Sequence, residues 1–176
     1  MGLYMQIRVL SVHGFTRIQE PNDMRILALD LGTHTGWALH LPDFPIESGV
    51  QEFHLARRES AGMRFLRFRS WLARMIDDHE PQLIVYEEPH LRGSAATHVL
   101  VGFATRVQEL AARRGLEHSS IRTPDLKKHA TGRGNAPKPL MVQTAKQKFP
   151  HQDIVSDDQA DALWVLDWAL QEFAHA

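Results

Sequence analysis

The chain has no cysteine among its 176 residues. Disulfides, thiolate catalysis and cysteine-ligated zinc are therefore excluded, and the composition fits a reducing, cytoplasmic compartment. No apolar run approaches the roughly 18 residues that a membrane-spanning helix needs, so no membrane partner is expected. The opening MGLYMQIRVLSVHGF has one arginine and no long apolar stretch, which is unlike a secretory signal. No internal repeat or low-complexity segment interrupts the chain. There is almost no net charge, −1, which by itself argues against a polyanionic partner. What the sequence does have is a 43% apolar content, sufficient for one domain with its own core.

The distribution of charge says more than its total. Residues 92–148 hold eleven Lys and Arg against three acids, whereas residues 149–176 hold six acids and neither Lys nor Arg. A basic block beside an acid-only tail suits a phosphate-binding surface next to a cation site. It suits equally well two solvated helix faces of opposite sign.

Residues 1–23 read as an N-terminal extension, ending in the loop-like Glu20-Pro21-Asn22-Asp23, with Met24 as an alternative start and 24–176 as one domain. RILALD (25–30) is an apolar run of strand length that ends in an acid. LGTHTG supplies turn residues, WALHL (37–41) a second strand and ESGVQEF (47–53) a third, which predicts an antiparallel meander. Over 60–79, Phe65, Phe68, Leu72, Met75 and Ile76 form a helical stripe, with Ser60 in the N-cap position. QLIVYEE reads as a buried central strand. A helix over 94–114 closes at Gly115, HSSIRT (118–123) is a fifth strand, and Pro124 can open a short helix. Two further helices are expected at about 138–148 and 158–174. The order predicts an α/β protein with a five-stranded mixed sheet, three strands antiparallel and then two parallel, flanked by helices.

Acids stand at the ends of these elements. Asp30 ends the first strand and Glu87 the fourth, while Asp158 and Asp161 are three apart on the last helix and share a face. Carboxylate oxygens are what a hard divalent cation takes, and four of them from three elements are enough for two ions. Spacing alone leaves blander readings open: Asp30 as a turn former, Asp157-Asp158 as a helix cap. Because neighbours in a strand face opposite ways, only one of Glu87 and Glu88 can share a cation with Asp30. Eleven histidines show no HxH or HxxxH pairing on one element, and most read as ordinary surface or core residues. Trp164 and Trp168, four apart, read as packing residues.

Four segments together resemble the RuvC family of Holliday junction resolvases, which has the RNase H-like fold. ILALDLGTHTGWAL is similar to its first-strand motif, IVYEEPH to its fourth-strand motif and DQADAL to its closing D-x-A-D-A-L motif. LKKHATGRGNAPK is similar to its phosphate-contacting loop, with Lys127, Gly132, Gly134 and Lys138 at the matching intervals. The likeness covers about residues 24–170. It implies a structure-selective endonuclease that binds branched, four-way-junction DNA and hydrolyses phosphodiesters with two Mg²⁺ ions, which Mn²⁺ can replace. Asp30, Glu87, Asp158 and Asp161 would be the metal ligands. Lys127, Lys128, Arg133, Lys138, His90 and Arg92 would contact DNA, and Lys138 would also stabilise charge on the reacting phosphorus. The motif favours Glu87 over Glu88 and Asp158 over Asp157, leaving Asp157 as the helix cap.

The family's aromatic three residues past its catalytic glutamate is replaced here by His90, and residues 1–23 lie outside the family core. GWA in the second strand is similar to phage- and prophage-encoded members. The resemblance also implies a homodimer using the helix over 94–114, where Val99, Leu100, Phe103 and Val107 form an apolar stripe and Gly102 permits close approach. Rival readings are a flap-cutting or RNA–DNA-hybrid nuclease on the same fold, or an inactive junction-binding module. An ATPase of the actin and sugar-kinase group is disfavoured, since its second Asp-Gly phosphate loop is absent.

Overall fold

Ile26–Leu29 and Leu83–Tyr86 are apolar at every position, and strands of that kind are stable only with both faces covered. The computed structural model, which describes residues 23–89 and 95–173, covers them on both sides. Strands β1 (Ile26–Asp30), β2 (His34–His40), β3 (Glu47–Glu52), β4 (Leu83–Glu87) and β5 (Glu117–Ile121) form one sheet in the order β3-β2-β1-β4-β5. The β1–β2 and β2–β3 pairs are antiparallel, and β1–β4 and β4–β5 are parallel, as the sequence predicts.

Alternation along the strands divides the core in two. Leu27, Leu29, Ile84 and Tyr86 face helices α1 (Gly62–His79) and α2 (Ala95–Arg114). Phe53, Phe68 and Phe103 meet there, with the Phe68 and Phe103 rings stacked at 4.0 Å. Ile26, Ala28, Leu83 and Val85 face the other side, against α3 (Thr123–Thr131), α4 (Lys138–Lys148) and α5 (Asp157–Phe173). Trp164 is buried and its indole N–H donates to the Met141 carbonyl at 3.2 Å, while Trp168 packs on the same cluster, so both are packing residues.

Several boundaries differ from expectation for identifiable reasons. Strand β2 begins at His34 rather than Trp37, because the turn after Asp30 is tight: the Thr35 hydroxyl donates to the Gly32 carbonyl at 2.7 Å. Helix α1 is not capped by the Ser60 side chain; Ala61 takes the N-cap position with no side-chain bond. Strand β5 stops at Ile121, and Thr123 already belongs to α3. Gly115 does end α2, with φ 65°, the left-handed conformation expected of it.

The apolar stripe of α2 turns inward. Phe103 and Val107 are fully buried, Val99 and Leu100 pack beside them, and Gly102 serves α1, since a Cβ there would lie 2.2 Å from the Phe65 ring. The stripe predicted to join two copies is therefore used within one chain. Among the described residues, no helix is long and apolar enough to cross a membrane.

Candidate active site

In the β1–β4 pair Leu29 stands beside Tyr86, so the next residues, Asp30 and Glu87, are neighbours at the carboxyl ends of two parallel strands. Glu87 follows Tyr86, which points towards α1 and α2, and so shares the α5 side with Val85. Glu88, the first residue past the strand, lines a surface recess with Tyr86, Pro89 and Val101 and also borders the cavity that Asp30 and Glu87 line.

Helix α5 brings the other two acids. Its first turn rests on β2 at Gly36, the residue paired with Asp30, where a Cβ would lie 1.9 Å from the Asp158 carbonyl oxygen. No side chain larger than hydrogen fits there, and the contact sets Asp158 against the end of β1. The helix start is held by Gln159, whose side-chain amide donates to Ser48 Oγ at 2.9 Å and to the Asp153 carbonyl at 3.2 Å. Ser156 is the residue that caps α5, accepting from the Gln159 N–H at 3.1 Å. The assignment of Asp157 as the cap is therefore corrected: Asp157 is the first residue inside the helix, and its carboxylate accepts a bond from Lys138 Nζ.

Burial and the neighbouring carboxylates together perturb Asp30, Asp158 and Asp161. The Asp30 carboxyl is held well above its usual range, first by burial and then by Glu87, Asp161 and Asp158. Burial is also the first cause for Asp161, with Glu87 next, and raises its pKa from 3.8 to about 7. Asp158 is raised too, by burial and then by Asp157, with Lys138 and His34 opposing. Asp161 Oδ1 is buried and has no hydrogen-bond partner among the described residues. A buried carboxylate oxygen without a donor, among three more acids, is what a cation-binding set looks like before the ion is counted.

These shifts have a testable consequence for stability. The folded chain holds the Asp161 proton more tightly than the unfolded chain does. That stabilisation is complete below pH 3.8 and is lost as the pH rises through about 7. In chelator, the Tm of wild type relative to Asp161→Asn should fall across that interval. A difference between the two that does not change with pH would contradict the assigned burial.

Other predicted residues are distributed around the acids. Lys138 opens α4, and its pKa is raised first by the bond to Asp157 and, less, by the charges of Asp157, Asp161 and Asp158. Lys127 and Lys128 are on helix α3 rather than in a loop, and only Gly132–Pro137 form the loop that follows. Gly132 is left-handed there, with φ 77°, and Arg133 is exposed. His90 and Arg92 lie outside the described residues.

The basic block of the sequence is not one surface. Arg113 and Arg114 of α2 pair with Glu109 and Asp77, and Lys148 of α4 pairs with Asp167. Sequence reasoning missed Thr123, whose hydroxyl donates to Glu87 Oε1 and starts the lysine-bearing helix at the acid cluster. It also missed Gly36 and Gln159. A side-chain hydroxyl after a strand and a glycine within one carry no signal of what they will touch.

Of the four acids, Asp30 and Glu87 line a small cavity of about 60 Å³ with Leu31, Glu88, Pro89 and Leu100. A larger recess of about 440 Å³, lined by residues including Arg25, Asp77, Gln82 and Arg114, contains none of them. An acid cluster with the exposed Lys138 beside it suits a phosphodiester.

No family model matches the chain. It is 26% identical over 148 residues to the crossover junction endodeoxyribonuclease RuvC of Rickettsia typhi, covering 80% of this chain and 92% of that protein. Thermus thermophilus RuvC in complex with a Holliday junction substrate superimposes with a TM-score of 0.67 at 17% identity, covering 86% of this chain and 94% of that one. The yeast mitochondrial Holliday junction resolvase Ydc2 superimposes with a TM-score of 0.58 at 13% identity, covering 91% of this chain and 85% of that one. Over most of its length the chain is similar to RuvC in sequence, and its sheet has the fold of the RuvC structures.

Proposed function

We propose that the chain is a metal-dependent endodeoxyribonuclease that resolves four-way DNA junctions, acting as a homodimer. The observation that carries this reading is the convergence of Asp30, Glu87, Asp158 and Asp161, with Asp161 Oδ1 buried and unpartnered among the described residues. An all-carboxylate set fits Mg²⁺ or Mn²⁺, and these four residues would hold two such ions. When bound, the ions supply an activated water and stabilise the leaving oxygen of an in-line phosphodiester displacement.

The remaining roles belong to the chain. Thr123 orients the Glu87 carboxylate through its hydroxyl. Gly36 and Gln159 hold the first turn of α5, and with it Asp158, against β1. Lys127, Lys128 and Arg133 would bind backbone phosphates, positioning the DNA without reading its sequence. Lys138, paired with Asp157, would bring positive charge to the phosphate undergoing attack. His90 and Arg92 complete the proposed DNA contacts on sequence grounds alone.

A two-fold dimer presents two sites to the two strands that resolution must nick. Because the α2 stripe packs inward, the exposed side of that helix is the one bearing Val101, Thr105 and Gln108. The same reading places the protein with DNA in the cytoplasm, and makes 24–176 the nuclease domain.

Cleavage of a four-way junction, assayed beside linear duplex, flap and RNA–DNA hybrid, tests the reading. Mg²⁺ and Mn²⁺ should support paired nicks in the junction, Ca²⁺ should permit binding with little product, and chelator should stop cleavage. Undiminished cleavage in chelator sinks the metal mechanism. Preferential cutting of flap or hybrid moves the protein to the rival nuclease class.

A further inference from the structure

A second group of metal-ligating side chains stands outside the four acids. His34 at the start of β2 is the cross-strand partner of Glu52 at the end of β3, and His54 follows two residues later. One ligand atom from each lies within 4.8 Å of the other two. His54 Nε2 is 3.1 Å from Glu52 Oε2, His34 Nε2 is 4.0 Å from Glu52 Oε1, and the imidazole rings meet edge to face at 4.8 Å. The three side chains are about half exposed or more, at 48%, 61% and 58%, so an ion can enter without any part of the fold opening.

We propose that His34, Glu52 and His54 form a transition-metal site, of the kind that takes Zn²⁺, at the rim of the acid cluster. The donor set decides the class of ion. Imidazole nitrogen favours Zn²⁺, Co²⁺, Ni²⁺ or Cu²⁺ over Mg²⁺ and Ca²⁺, which prefer oxygen throughout. Zinc bonds to nitrogen and oxygen of about 2.0–2.2 Å place tetrahedral ligand atoms roughly 3.3 Å apart. The His54–Glu52 pair, at 3.1 Å, already has that spacing, and the exposed His34 ring, now 4.0 Å from Glu52, would have to turn inward to complete it.

The backbone beneath is well held. Antiparallel pairing fixes His34 opposite Glu52, and the Phe53 N–H donates to the Thr33 carbonyl at 2.8 Å, tying His54 to the same corner. Three protein ligands leave one position open for water or a phosphate oxygen. His34 is also close enough to Asp158 to favour its charged form, so the site adjoins the acids without sharing a ligand with them. The inference therefore stands whether or not the chain cleaves junctions.

The test is Co²⁺ and Zn²⁺ binding to the full chain in excess Mg²⁺, which occupies the all-oxygen site, followed by calorimetry and visible absorption. One ion per chain should bind, and Co²⁺ should give the intense visible band of a four- or five-coordinate nitrogen-containing site. His54→Ala and Glu52→Gln should each weaken binding by about tenfold or more, while Asp30→Asn/Asp161→Asn retains it. Because all three ligands are exposed, metal-free melting curves of the ligand variants should match wild type. Binding that survives in His54→Ala and Glu52→Gln, or is lost in Asp30→Asn/Asp161→Asn, overturns the site. So does the absence of binding in wild type.

Discussion

Glu87→Gln should reduce junction cleavage by about 10³-fold or more, the scale seen when a reaction loses an essential group. Glu88→Gln should remain within several-fold of wild type. The two residues are neighbours in sequence, and only sheet geometry separates them. Val85 and Glu87 project towards the side of α5, which carries Asp158 and Asp161, whereas Glu88 follows Tyr86 to the side of α2. Glutamine keeps an oxygen to accept the Thr123 hydroxyl, so the change removes charge and leaves the local bond. Junction binding should persist, because positive side chains supply most of the affinity for phosphates. Cleavage and electrophoretic binding assays on both variants decide the matter. An inactive Glu88→Gln beside an active Glu87→Gln would mean that the strand register is wrong by one residue.

Gly36→Ala should be nearly as damaging, although glycine has no chemistry to lose. The new Cβ would lie 1.9 Å from the Asp158 carbonyl oxygen, 2.3 Å from its carbon and 3.0 Å from the Gln159 nitrogen. All three are backbone atoms in the first turn of α5, so no rotamer relieves the clash; the helix must move off the sheet. Overpacking costs about 1–3 kcal/mol and occasionally more, and a clash against backbone belongs at the upper end. In a domain of this size each kcal/mol lowers Tm by roughly 2–4 °C. Activity measured well below the new Tm should fall further than stability does, because displacing α5 carries Asp158 away from Asp30. Gly49→Ala is the control: its Cβ would meet the Trp37 ring at 3.0 Å, and a side chain can shift. A Gly36→Ala protein with wild-type Tm and turnover would show that the close approach of β2 and α5 is not required.

The sequence by itself determined the strands and the mixed pairing of the sheet, whereas it singled out the four acids only through their resemblance to a family's motifs. Strand runs such as ILALD and LIVYE are apolar at every position and end in a carboxylate, so local pattern names both the element and the residue at its tip. The D-x-x-D interval on a helix likewise places Asp158 and Asp161 on one face before any contact is known. What periodicity cannot report is which distant element covers a face. The α2 stripe was legible as apolar, yet only packing decided that Phe65 of α1, rather than a second copy, fills the space at Gly102. Asp157 looked like a cap because the helix begins there; tertiary structure gave the cap to Ser156 and turned Asp157 to Lys138, nineteen residues earlier. His34 and His54 stand on no common element, and their meeting at Glu52 depends on the antiparallel register of β2 and β3. Elements and their faces follow from short-range pattern, because side-chain direction repeats with the local backbone. Partners are chosen by long-range packing, in which residues far apart in the chain compete for the same volume.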